Sequence, residues 1–120
     1  MKAETMKQNT ETASWRAVCS VDDILPNTGI CALINDRHVA VFHVRTDIEQ
    51  LFAIDNYDPN ADASVLSRGL VGSLGERIVV ASPIYKHHFD LKSGECLESP
   101  ENSVGAYRVR VENRQVLIAI

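Results

Sequence analysis

The sequence predicts an all-β domain, a small antiparallel sandwich or barrel of short strands carrying two long loops. Three observations lead there. Apolar and polar residues alternate over runs of only a few residues, the period-2 pattern of a strand with one face buried. Asn, Asp, Gly and Pro interrupt those runs at short intervals. No stretch of ten or more residues keeps an apolar period of 3.6, so no long amphipathic helix is expected.

Taken in order, WRAVCS (residues 15–20) reads as a first strand and DDILPNTG as a polar connection. GICALI and HVAVFHVR follow, linked by Asn35, Asp36 and Arg37 as a short hairpin turn. In the second of these, Val39 and Val41 fall on one face and Ala40, Phe42 and Val44 on the other. Both faces are apolar, which suits a central strand. LFAIDN and the β-branched run RIVVAS are further strands. At the end AYRVRV sends Tyr107, Val109 and Val111 one way and Arg108 and Arg110 the other, and Glu112, Asn113 and Arg114 turn the chain into QVLIAI. The glycines of GLVGSLG (69–75) lack a phosphate-loop pattern and read as turn and bulge positions.

A chain of 120 residues is one domain with room for a core. The opening MKAETMKQNTETAS is polar, so residues 1–14 are expected to be a disordered tail and 15–120 the folded domain. The net charge is −4 and the arginines are scattered, which excludes an electrostatic case for nucleic acid or an anionic membrane. Cys19, Cys31 and Cys96 form no C-x-x-C pair, as expected in a reducing, cytoplasmic setting. No apolar run approaches the ~18 residues of a membrane span, and the N-terminus lacks the apolar region of a signal peptide.

The two long connections, residues 56–70 and 82–89, are where function is expected on a small β scaffold. Their chemistry is sparse when residues are taken singly. His87 and His88 are adjacent, so in extended chain they face opposite ways and cannot share one tetrahedral ion. His38 and His43 fall on opposite faces of one strand. Ser82 is not in a G-x-S-x-G elbow, and the Asp55, Asp58 and Asp62 cluster lacks the glycine of a calcium loop. Asp/Asn clusters of this kind are usually turn formers.

Taken together the loops say more. FAIDNYDPNADASVLSRG followed by VVASPIYKHHFDLKSGEC resembles the two-box pattern of Rieske-type [2Fe–2S] domains. The frame is present: Asn56, Pro59, Leu66, Ser67, Arg68 and Gly69 in the first box, and Pro83, Phe89, Asp90, Leu91, Ser93 and Gly94 in the second. Laid on that motif, the cysteine positions are Asp58 and Ser82 and the histidine positions are Asn60 and Tyr85. Two thiolates and two imidazoles are needed, and these four residues supply neither. The resemblance therefore implies a Rieske-like fold that holds no cluster.

The combination of W-x-x-V-C-S, A-I-D-N-x-D-P, V-L-S-R-G-L-V-G and S-P-x-Y-K-x-H-F-D-L is similar to the small subunits of assimilatory NAD(P)H-dependent nitrite reductases. What the family resemblance implies is a large-subunit partner that carries FAD, an iron–sulfur cluster and sirohaem and reduces nitrite to ammonium. This chain would then be non-catalytic and cofactor-free, and it would act by binding. Tyr85, Lys86, His87 and His88 are the expected docking residues, since exposed aromatic and cationic groups on a loop suit an interface. Tyr85 could equally fill the cluster's place and bond Asp58 or Asn60. Two other readings are a ferredoxin-like electron carrier and a small-molecule site using Lys86, His87 or His88 as acid–base groups.

Overall fold

The computed structural model describes residues 14–120, so the tail expected over residues 1–14 lies, Ser14 apart, outside the described residues. Among the described residues there are twelve short strands: β1 (Trp15–Ser20), β2 (Thr28–Ile34), β3 (Arg37–Arg45), β4 (Glu49–Asp55), β5 (Tyr57–Asp58), β6 (Ala63–Ser64), β7 (Leu70–Leu74), β8 (Arg77–Ala81), β9 (His88–Asp90), β10 (Ala106–Tyr107), β11 (Val109–Glu112) and β12 (Gln115–Ala119). Every named pairing is antiparallel. The helical content described is three single turns of 3-10 helix, Val21–Asp23, Leu66–Arg68 and Pro100–Asn102.

A four-stranded sheet, ordered β10-β4-β3-β2, is the wall of the molecule. Its central strand β3 behaves as the alternation predicts, with residues 39–44 all buried. Ala40, Phe42 and Val44 pack with Ile54, Leu66, Val80, Phe89, Leu91 and Cys96 on one side. Val39 and Val41 pack with Val21, Ile24, Ala53, Val116 and Ile118 on the other. The first core is capped by the sheet β7-β8-β9, the second by the sheet β1-β12-β11. Two apolar faces on one strand thus mean a sheet sandwiched between two others.

The hairpin turns show why particular residues stand there. Asn35 and Asp36 both take left-handed backbone (φ 50° and 65°), the geometry of a two-residue turn that matches strand twist. Asn113 and Arg114 do the same (φ 53° and 65°), and the arginine is held there by ion pairs with Asp22 and Glu49. Two expectations change. GLVGSLG contains a strand, β7, with only Gly75 (φ 64°) in a turn. AYRVRV is two strands: β10 pairs with β4, the chain leaves that sheet at Arg108, and β11 joins β12. Alternation alone cannot mark such a change of sheet, because Tyr107 and Val109 pack on the same core either way.

Candidate functional site

The first long loop is pinned by Asn56, which is buried at its entrance. Its Oδ1 accepts the Ser67 N–H at 2.7 Å, its carbonyl accepts the Leu66 N–H at 3.0 Å, and its own N–H donates to the His38 carbonyl at 2.9 Å. This fixes the Leu66–Arg68 turn beside β2 and β3. The small hairpin β5-β6 then turns Asp58 inward, where it has no solvent exposure.

The second loop closes on itself. Ser82 N–H donates to the His87 carbonyl at 2.9 Å and Lys86 N–H to the Ser82 carbonyl at 3.0 Å, with Lys86 in left-handed backbone. Closing the base this way leaves Pro83, Ile84, Tyr85 and Lys86 at an exposed tip and buries Ser82. Downstream, Asp90 Oδ1 accepts the N–H groups of Lys92 and Ser93, forming the turn expected there. Gly94 (φ 83°) completes that turn against Val104, whose carbonyl would lie 2.1 Å from a Cβ at this position.

Of the four residues that the motif resemblance lays on ligand positions, Asp58, Asn60 and Ser82 come together. The Ser82 hydroxyl donates to Asp58 Oδ2 at 2.5 Å, joining the two loops directly. Asp58 Oδ1 accepts from the Asn60 N–H at 2.9 Å and from its amide at 3.3 Å. Asn60 also touches Cys96 Sγ at 3.7 Å, and its Oδ1 accepts from Asn102 Nδ2 at 2.8 Å. Tyr85 is not part of this network: it is 63% exposed, so the bond to the first loop comes from Ser82 instead. Asp58 is accordingly no ordinary turn residue. Its carboxylate is the acceptor at the centre of a clamp across the two loops.

The histidines separate. His87 is half-buried, and its Nδ1 is enclosed without a hydrogen-bond partner. His88 opens β9 rather than extending the loop, and Glu98 grips it twice, through the backbone N–H at 2.7 Å and Nδ1 at 2.6 Å. Burial pushes the Glu98 carboxyl up, and the hydrogen bonds from His88 outweigh that and hold it below its ordinary value. Among the described residues no three His, Cys, Asp or Glu side chains form a group able to hold a metal ion. An open groove of about 450 Å³ borders the first loop, lined by Asp36, Arg37, His38, Asp55, Tyr57 and Ser64, and includes none of the second loop's tip residues.

The sequence reasoning missed a further buried polar residue, His43. His43 presents Nδ1 to the Ile24 carbonyl at 2.7 Å and Nε2 to Glu49 Oε2 at 2.8 Å. The available signal was register: Arg45 pairs with Glu49 and His43 with Leu51, so Glu49 is the diagonal neighbour of His43 across the β3-β4 hairpin.

Comparison with known proteins gives this frame a family. The model of the Rieske-like [2Fe–2S] domain matches residues 14–119. The nitrite reductase (NADH) small subunit of Escherichia coli K12 is 45% identical over 101 residues, covering 84% of this chain and 93% of that protein. The chain belongs to the Rieske-like family, among the nitrite reductase small subunits. The crystal structure of a small subunit of this kind from Mycobacterium tuberculosis superimposes with a TM-score of 0.84 at 37% identity, over 92% of this chain and 97% of that one. The same domain also matches a segment of a larger protein. The nitrite reductase [NAD(P)H] large subunit of Klebsiella oxytoca is 38% identical over 104 residues, 87% of this chain and 11% of that one.

Rieske-like domains as a family hold a [2Fe–2S] cluster between two loops, and the residues at this site do not fit one. Of the four residues that the motif resemblance lays on ligand positions, the Ser82 hydroxyl, the Asp58 carboxylate and the Asn60 amide are engaged with one another, and the Tyr85 phenol is exposed. Hard oxygen donors of this kind do not replace two thiolates and two imidazoles.

Proposed function

We propose that the chain is the small subunit of an NAD(P)H-dependent nitrite reductase, an oxidoreductase that reduces nitrite to ammonium in nitrate assimilation. Its role is to bind and support the large subunit in the cytoplasm, and it carries no cofactor of its own. The flavin, sirohaem and iron–sulfur cluster that the family resemblance implies reside in the partner. The observation that carries this reading is the 45% identity along nearly the whole length of the E. coli small subunit. The Asp58–Ser82 clamp supports the cofactor-free part, because the groups that would face a cluster are bonded to each other.

Docking is assigned to the tip of the second loop. Ile84, Tyr85 and Lys86 are its exposed members, an aromatic and apolar pair beside a cation. His87 is half-buried, and His88, held by Glu98, opens β9 where the loop ends.

Co-expression with the large subunit tests the whole reading. The chain should co-purify with it, contain no stoichiometric iron or sulfide when isolated, and raise nitrite-dependent NAD(P)H oxidation by the large subunit while showing no turnover alone. An isolated chain that is brown and holds iron and acid-labile sulfide in equal amounts would overturn the cofactor-free part. A Tyr85→Ala/Lys86→Ala variant that co-purifies as well as the wild type would remove the tip as the docking surface.

A further inference from the structure

The sheet β1-β12-β11 buries Val116 and Ile118 and turns its other face outward. Register decides what stands on that outer face. Trp15 lies opposite Ala119, Ala17 opposite Leu117, and Leu117 opposite Arg110. Arg108, whose carbonyl accepts the Ala119 N–H, brings a second guanidinium to the same place. Across Ala119 of the intervening strand β12 the indole meets both arginines: Arg110 Cζ is 4.4 Å from the ring centroid and Arg108 Cζ 5.5 Å. Both fall within the reach of a cation–π attraction.

These groups are not absorbed by the fold. Trp15 is half-buried and both arginines are exposed. Arg110 Nε is paired with Glu112 at 3.0 Å, whereas Arg108 makes no ion pair among the described residues. A guanidinium stacked on a ring keeps its N–H edge free for a carboxylate, and the ring holds it in one orientation beforehand. Trp and Arg are also the residue types that dominate binding energy at interfaces. On a chain of net charge −4, this face is a local excess of positive charge suited to an acidic surface.

The position of the face supplies an independent reason to name its partner. Ile120 N–H donates to the Ser14 carbonyl at 3.0 Å, so both ends of the described chain leave the domain beside Trp15. In the Klebsiella oxytoca protein the matching segment is part of the large-subunit chain itself. Whichever end carries the connection there, it departs from this corner, and the adjoining surface is kept close to the rest of that chain at high effective concentration.

We infer that the Trp15–Arg108–Arg110 face is a second docking surface and that its occupant is an acidic segment of the nitrite reductase large subunit. This rests on the large subunit being the partner and adds a contact separate from the Tyr85–Lys86 tip.

Trp15 is the single tryptophan, so a 5-fluorotryptophan label gives one ¹⁹F resonance that reports on the face alone. Adding unlabelled large-subunit holoenzyme should shift or broaden it. Arg108→Glu/Arg110→Glu should raise Kd for the large subunit at least about tenfold, with the melting temperature within about 4 °C of wild type. Arg108→Lys/Arg110→Lys should recover part of the affinity, and wild-type binding should weaken as salt rises from about 50 to about 300 mM. Unchanged affinity in the charge-reversed variant overturns the proposal while leaving the loop tip in place. Loss of all binding by wild-type chain overturns the underlying partner reading instead. A resonance that moves with the chain's own concentration assigns the face to a second copy, and one that moves on removal of residues 1–13 assigns it to the chain's own N-terminus. Either outcome overturns the proposal.

Discussion

Two buried polar centres, at Asp58 between the loops and at His43 on β3, are satisfied in opposite ways. Asp58, which has no solvent exposure, meets neutral donors, the Ser82 hydroxyl and the Asn60 backbone and amide N–H groups. His43 instead passes its contacts outward. Its ring meets Glu49, Glu49 accepts from Arg114 at 2.9 Å, and Arg114 donates to Asp22 at 2.6 Å, each step more exposed than the ring. The first centre joins two loops and the second joins β3, the β11-β12 turn and the 3-10 turn after β1. What a buried polar group requires is a hydrogen-bond partner, and a counter-charge is only one way to supply it.

Breaking the first centre should have the larger effect. Asp58→Ala removes the acceptor of three hydrogen bonds, leaving the buried Ser82 hydroxyl without its acceptor and the half-buried Asn60 without two of its bonds. A loss of about 3 kcal/mol is expected, the cost of unsatisfied buried donors together with a small cavity. Urea denaturation followed by circular dichroism measures it, and a loss below about 1 kcal/mol would mean that the clamp contributes little.

Ser82→Ala should cost less, about 1–2 kcal/mol, because Asp58 keeps its two bonds from Asn60. The double variant then sharpens the comparison. With the loops joined directly by Ser82 and Asp58, the two single losses should exceed the double loss by about 1 kcal/mol or more. Strict additivity would show that each residue stabilises its own loop separately.

How much of this was legible beforehand follows from what kind of signal each part leaves. The strands and the double-faced burial of β3 were readable because alternation records local burial directly, as at Val39 through Val44. The loop frame was readable because Asn56, Asp90 and Gly94 hold backbone positions that few other residues can hold. Asp58, Asn60 and Ser82 were found only by reference to the positions of absent ligands, and their bonding to one another needed coordinates. Tyr85 was open to an inward or an outward role, since one aromatic in a tip carries no periodic pattern. β7 was hidden by its glycine, and the change of sheet at Arg108 by an alternation that continues through it. His43 was read as an unpaired strand histidine, because its partner is set by register across a hairpin.

The smallest expected effect lies in the second centre and appears only as a dependence on pH. Arg114 is the main cause that holds the Glu49 carboxyl below its ordinary value of 4.5, with His43 adding to it; the same arginine lowers Asp22. A carboxyl depressed in the folded state binds fewer protons there than in the unfolded chain, so its contribution is present above pH 4.5 and disappears as pH falls through the depressed value. Glu49→Gln should therefore flatten the acid limb of the stability curve, reducing its slope by less than one proton. Arg114→Gln should flatten it further, because Asp22 and Glu49 then lose their common partner. Neither change touches Asp58, so the loss measured for Asp58→Ala at pH 7 should be the same in the Glu49→Gln background. Equal acid limbs in wild type and Glu49→Gln would show that the outward chain from His43 holds its geometry without contributing to stability. A changed Asp58→Ala loss would show instead that the two centres communicate through β3.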